Sequence, residues 1–240
     1  MKKVLSVLLC IIMLFSFCSC GKEPEKNQSV AWHDKVAWLL GVKSYIAKLT
    51  TIDESTGLQI NSKYAEFGGD ISYVEFVDGE DTQKVYFTYR QEDGKDVCRI
   101  YGYSEEHDYW VGKQIDYSEN YFYAYSFVEK IRKIGAYVDM GELVYNEDEH
   151  RYHGDNLSGS FVFDGVEHHV DSMKVVAVGN RIISVDELYK EEPDAEKQYR
   201  QTIEFSKIGD VHLELPKNSI TYEDAVDKVG YFEFDVDLTL

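Results

Sequence analysis

The sequence predicts a mainly β fold of the α+β class, a large antiparallel sheet accompanied by two or three helices. Three observations carry this. Apolar and polar residues alternate with period two over most of the chain, which marks strands with one buried face. Turn pairs that tolerate positive φ separate those runs at hairpin spacing. Only a few stretches place apolar residues at helical spacing.

The N-terminus is of a different kind. Met1-Lys2-Lys3 makes a basic start, and Val4 to Cys18 is almost wholly apolar. That run is shorter than the ~20 residues that span a bilayer, and Gly21-Lys22-Glu23 ends it at once. Residues 1–19 therefore read as a cleaved export signal rather than a membrane helix. Phe17-Cys18-Ser19-Cys20-Gly21 resembles the lipobox of bacterial lipoprotein signals, with small Ser19 before the acceptor and Phe17 where the motif usually has leucine. The resemblance implies a lipid (palmitate-type) anchor on Cys20 and a position at the cell membrane, on its extracytoplasmic face. Ordinary secretory cleavage after a small residue is the alternative. Residues 20–29 then form the lipidated cysteine and a short polar tether, and 30–240 a single domain.

Charge narrows the partners. Without residues 1–19, which hold two lysines and no acids, 23 basic and 44 acidic side chains remain, a net charge of −21. A field of that sign repels nucleic acid and anionic head groups. Cysteine narrows the means of stabilisation: with Cys10 and Cys18 in the signal and Cys20 lipidated, only Cys98 is left, and one thiol forms no internal disulfide. In Val97-Cys98-Arg99-Ile100 it reads as a small hydrophobe on a strand.

Along the body, 30–42 carries Trp32, Val36, Leu39 and Leu40 at helical spacing and leads to a first strand near Tyr45. Val85, Phe87 and Tyr89 share one face of a strand over 83–91. A helix over 119–134 gathers Phe127, Val128, Ile131 and Ile134 on one side, with Glu129, Lys130, Arg132 and Lys133 elsewhere. Strands follow at 201–206 (Ile203, Phe205 inward), 211–215 (Val211, Leu213, Leu215 inward) and 232–238. Thr221-Tyr222-Glu223-Asp224 reads as a capping box before a helix to about Val229. Asp78-Gly79, Asp93-Gly94, Gly179-Asn180 and Gly209-Asp210 supply the turns. Short links force antiparallel neighbours, and a sheet of about ten strands must curl or split.

In this order of elements, residues 30–216 resemble the LolA/LppX-like lipoproteins. The likeness lies in the helix, the first strand Ser44 to Thr50, the helix at 127–134 and the hairpin 173–188. It closes on Ile203-Glu204-Phe205-Ser206 and on Gly209 to Pro216. It implies a curved antiparallel half-barrel with its helices packed on the concave face. In some members the cavity between sheet and helices carries a lipid or acyl chain, so the implied partner is an apolar ligand. No binding residue carries over individually. Candidate lining residues follow from where the mid-chain helix meets the inner sheet face: Val85, Phe87, Tyr89, Phe127, Val128, Ile131, Ile203 and Phe205. Residues 217–240 exceed the family pattern and either add an edge strand or cover the cavity mouth.

Catalytic chemistry finds no support. His150 and His153 sit between acidic runs, a conceivable ligand pair that reads as a solvated loop, since zinc sites combine such a pair with further spaced ligands. His168 and His169 are adjacent on a strand and point to opposite faces, so they cannot chelate jointly. Glu105-Glu106 and Glu191-Glu192 read as solvated turns, and no nucleophile or phosphate-cradling motif is found. We therefore expect no enzyme activity, metal or cofactor. Nineteen tyrosines, clustered at Tyr101, Tyr103, Tyr109-Trp110 and Tyr117 through Tyr125, read either as a stacking surface for sugars or a partner, or as half-buried strand residues. Two functional readings stay open: a carrier with an apolar ligand, and an envelope interaction or scaffold lipoprotein with a filled core.

Overall fold

The computed structural model describes residues 25–42, 44–104, 106–115, 123–163 and 165–229. The expected signal, Cys20 and the strand at 232–238 lie outside the described residues. Helix α1 (Glu25–Gly41) leads into β1 (Ser44–Asp53), β2 (Leu58–Gly68), β3 (Ile71–Asp78), β4 (Asp81–Glu92), β5 (Lys95–Ser104) and β6 (Tyr109–Ile115). Helix α2 (Tyr123–Asp139) precedes β7 (Val144–Asn146), β8 (Arg151–Asp155), β9 (Ser160–Phe163), β10 (Val166–Val178), β11 (Arg181–Lys190) and β12 (Tyr199–Ser206). The chain then forms β13 (Ser219–Thr221) and α3 (Tyr222–Val229).

The strands make one sheet, in the order β13-β6-β5-β4-β3-β2-β1-β12-β11-β10-β8-β7, with β9 also on β10. The sheet does not close, and it has the form of a half-barrel. Neighbours are antiparallel except β13, which runs parallel to β6. The turns explain the meander: Asp93 and Gly94 both take positive φ (52° and 75°) and link Glu92 directly to Lys95, a hairpin twist that suits right-handed strands. Register shifts at Thr51/Ile52, Val170/Ser172 and Val176/Ala177 mark bulges, which bend the strands that carry them.

The helices pack on the concave face. On α1, Trp32, Val36 and Leu39 are buried. Leu40 is exposed, against expectation: at 3.6 residues per turn it lies roughly 80° round from Trp32. Helix α1 also begins at Glu25, inside the expected tether, because 25–29 contains neither Pro nor Gly to stop a helix. On α2, Phe127, Ile131 and Ile134 are fully buried, and the helix continues to Asp139 with Tyr137 and Val138 buried as well. Gly135 lets the two helices touch: a Cβ there would lie 2.9 Å from Trp32 Nε1.

The expected strand at 211–215 does not form. Strand β12 already lies between β1 and β11, so no free edge remains beside it for a hairpin partner. Residues 207–218 instead run along the ends of the first strands. The Gly209 N–H donates to the Ser44 carbonyl, Leu213 packs on Gly68, and the Asn218 amide donates to the Asp108 carbonyl. This strap delivers β13 to the sheet edge. Of the two roles considered for 217–240, the described part thus adds an edge strand. Helix α3 is capped as its sequence implies, the Asp224 N–H donating to Thr221 Oγ1 at 3.1 Å.

Candidate functional site

The concave face is built from side chains at alternate positions, which the registers align into rows across the sheet. One row reads Phe205, Ala47, Ala65, Val74, Val85, Gly102, Val111 from β12 to β6. Its side chains are small over β1 and β2 and branched or absent beyond. Larger groups flank it: Tyr45, Phe67, Phe87 and Ile100 along one side, Ile203, Leu49, Lys63 and Phe76 along the other. The row is therefore the floor of a shallow trough. Its residues are buried. Helix α2 packs chiefly on α1, β2 and β9, so the β3–β6 part of the trough lies beyond the strands that it chiefly meets. Helix α3 stands at the far end, where Lys113 of β6 sits over the Tyr222 ring and Lys228 over the Tyr109 ring.

Seven of the eight lining residues expected from the sequence, Val85, Phe87, Phe127, Val128, Ile131, Ile203 and Phe205, come together in one buried cluster. Phe127 meets Phe205 edge-on, with ring centroids 6.5 Å apart. Tyr89 is half-buried and stands at the rim, its hydroxyl donating to Asp96 Oδ1 at 2.7 Å.

The other half of the concave face holds a polar cluster that sequence reasoning missed. Lys130 was expected away from the apolar side of its helix. It is fully buried on that side and donates to Glu187 of β11 and Gln201 of β12. Glu187 Oε1 also accepts from His168 Nδ1 at 2.7 Å, and the Gln201 amide donates to Thr51 Oγ1 at 3.1 Å. Rings enclose both side chains: Lys130 Nζ is 4.5 Å from the Phe163 centroid, and His168 stacks on Tyr189 and on Phe161. Burial, the largest single influence on the Glu187 carboxyl, pushes it up, but the charges and hydrogen bonds of Lys130 and His168 together outweigh it, so the net shift is down. Burial, with the Glu187 and Glu142 charges, pushes the Tyr137 phenol up to about 12. Glu187 Oε2 and Tyr137 Oη are buried with no hydrogen-bond partner among the described residues.

A sequence signal for this cluster existed. Glu187 alternates with Val185 and Tyr189, Gln201 with Tyr199 and Ile203, and Lys130 lies three residues from Phe127 and four from Ile134. Each polar residue occupies an inward position of its own element.

The other singled-out residues stand apart. His150 and His153 are exposed on the β7–β8 hairpin, with His153 Nε2 2.9 Å from Asp155 Oδ2. His168 is buried while His169 turns to the opposite face. Burial pushes the Cys98 thiol up. Among the described residues no cluster of His, Cys, Asp and Glu is arranged to hold a metal ion, and no helix is long and apolar enough to cross a membrane.

No family model matches the chain, and no curated protein matches it. Among solved structures it is similar to LprF from Mycobacterium bovis, at 13% identity and a TM-score of 0.33, with 81% of this chain and 98% of that one covered. It is also similar to a DUF1329 family protein from Desulfovibrio piger, at 13% identity and a TM-score of 0.24, with 81% and 96% covered. At these TM-scores the likeness carries no argument about what this chain binds or does.

Proposed function

We propose that this chain is a lipid-anchored, extracytoplasmic lipoprotein that holds an acyl chain in the trough across its concave face. The observation that supports the reading is the floor row from Ala47 to Val111. It crosses five strand intervals, or ~24 Å at ~4.8 Å each, the reach of a long acyl group. The row itself is apolar, and its flanks are mostly larger rings and branched chains, with buried Lys63 and Ser72 among them, a mainly apolar surface that suits hydrocarbon. The anchor rests on Cys20 and its lipobox-like context.

A second reading has its own observation. The Lys130–Glu187–His168 cluster fills the β10–β12 half of the concavity with the chain's own side chains, as a scaffold with a packed interior would. Titration of residues 21–240 with an environment-sensitive fatty-acid probe separates the two. Saturable binding at one site, displaced by unlabelled fatty acid, supports the carrier. Absence of saturable binding, with no lipid extracted from detergent-free protein, leaves the scaffold.

A further inference from the structure

The convex face of the sheet is divided. Over β10–β12 and β1 it carries charged and aliphatic side chains, with Arg200 bridging Asp186 (2.9 Å) and Glu54 (2.7 Å). Over β2–β6 it carries a continuous row of rings. Tyr64 lies 6.4 Å from Tyr73, Tyr73 4.9 Å from Tyr86, Tyr86 4.9 Å from Trp110, and Trp110 5.3 Å from Tyr103. Tyr101 completes the row between Tyr86 and Gly112, its ring lying in the space that a Cβ on Gly112 would fill. Strand propensity alone would scatter aromatic residues along every strand. On the convex face they are gathered instead in one contiguous block, each ring half-buried or exposed.

We propose that this outer face of β2–β6 binds an uncharged, β-linked glycan strand. Ring centroids that meet along the row lie 4.9 to 6.4 Å apart, a spacing comparable with successive pyranose units of an extended chain. The rings are tilted against one another by 48° to 86°, so they offer alternating faces and edges that suit puckered sugars better than flat bases. Acceptors for sugar hydroxyls stand beside them: Glu66 accepts from the Tyr64 hydroxyl and Glu75 from the Tyr73 hydroxyl at 2.9 Å. Burial and these carboxylates push both phenols up, so they remain neutral donors. The strap borders the ring-bearing face where Leu213 lies on Gly68, one residue pair beyond Glu66 on the same side of β2. The formal net charge of −19 disfavours polyanions, and Lys84, 3.9 Å from Glu75, offsets part of the local charge that a basic peptide would need.

The test uses the full chain in a polyoxyethylene detergent, which contains no sugar. Soluble chito- and cello-oligosaccharides are titrated in while tryptophan emission is followed. Trp110 is the reporter, and Trp110→Phe identifies its share of the signal. We expect a saturable change with at least one oligosaccharide, weakened on the order of tenfold in Tyr73→Ala/Tyr86→Ala, which removes two rings from the row. Tyr103→Ala, at an exposed ring, gives the same direction of effect should the double variant not fold. The proposal is overturned if neither oligosaccharide gives a saturable change, if folded variants bind unchanged, or if hexalysine alone binds. Fatty-acid binding is read by a separate probe, so either proposal can fail without the other.

Discussion

The Lys130 ammonium of α2 is bonded to the Glu187 carboxylate of β11, with both side chains fully buried. This bond ties the mid-chain helix to the sheet that curves around it. Removing one partner strands the other in a medium that solvates it poorly, a loss of about 3–5 kcal/mol. We expect Lys130→Ala to lose stability in that range by urea unfolding. Lys130→Met/Glu187→Leu should recover part of it, because neither charge of the pair is then left without the other, although His168 loses its Glu187 partner. Equal loss in the single and double variants would show that packing, not charge, dominates.

Acid should release the same bond. The folded Glu187 carboxyl is held below its ordinary value of 4.5. A depressed acid contributes stability above that ordinary value and loses it as pH falls through the lower, folded one. Unfolding free energy should therefore decline as pH drops below 4.5, and the part due to Glu187 should vanish in Glu187→Gln. Urea titrations of both proteins across that window measure it.

Much of the fold was legible because it follows local rules. The turn at Asp93-Gly94 requires positive φ and shows it; alternation placed Val85, Phe87, Ile203 and Phe205 inward; Thr221 caps the last helix. What failed depended on distant strands. The 211–215 segment alternates well, but β1 and β11 occupy both sides of β12, a fact about pairing that no local window contains. Lys130 was misread because charge was taken to mean solvent, although its spacing from Phe127 and Ile134 lies within the apolar stripe. The partners that make its burial tolerable, Glu187, His168 and Gln201, lie 38 to 71 residues away.

The crossing of α1 and α2 makes a third expectation sharp. A methyl on Gly135 would stand 2.9 Å from Trp32 Nε1 and 3.2 Å from Cδ1, inside ordinary contact. Trp32 is fully buried and meets Tyr152 edge-on at 5.0 Å, which limits its retreat. Gly→Ala gains up to ~1 kcal/mol of helix propensity, while overpacking costs about 1–3 kcal/mol. Gly135→Ala should therefore lower the melting temperature. An unchanged or raised value would mean that the helices separate more readily than this packing implies.

The anchor can be tested apart from the fold. Helix α1 starts at Glu25, five residue steps from Cys20, and a fully extended chain spans at most ~3.6 Å per step. On the proposed anchoring through Cys20, the leash would reach no more than ~18 Å and would hold the body close to the membrane despite its negative charge. A diacyl group would supply the opposing attraction at about 0.8 kcal/mol per buried CH₂, whereas electrostatic repulsion from anionic head groups falls off within a Debye length. Cys20→Ala should move the protein from the membrane fraction to the soluble one and abolish acyl labelling. The circular dichroism and melting curve should stay the same, because residue 20 precedes every element of the sheet. Acyl labelling that persists in Cys20→Ala would transfer the anchor to another residue and sink the assignment.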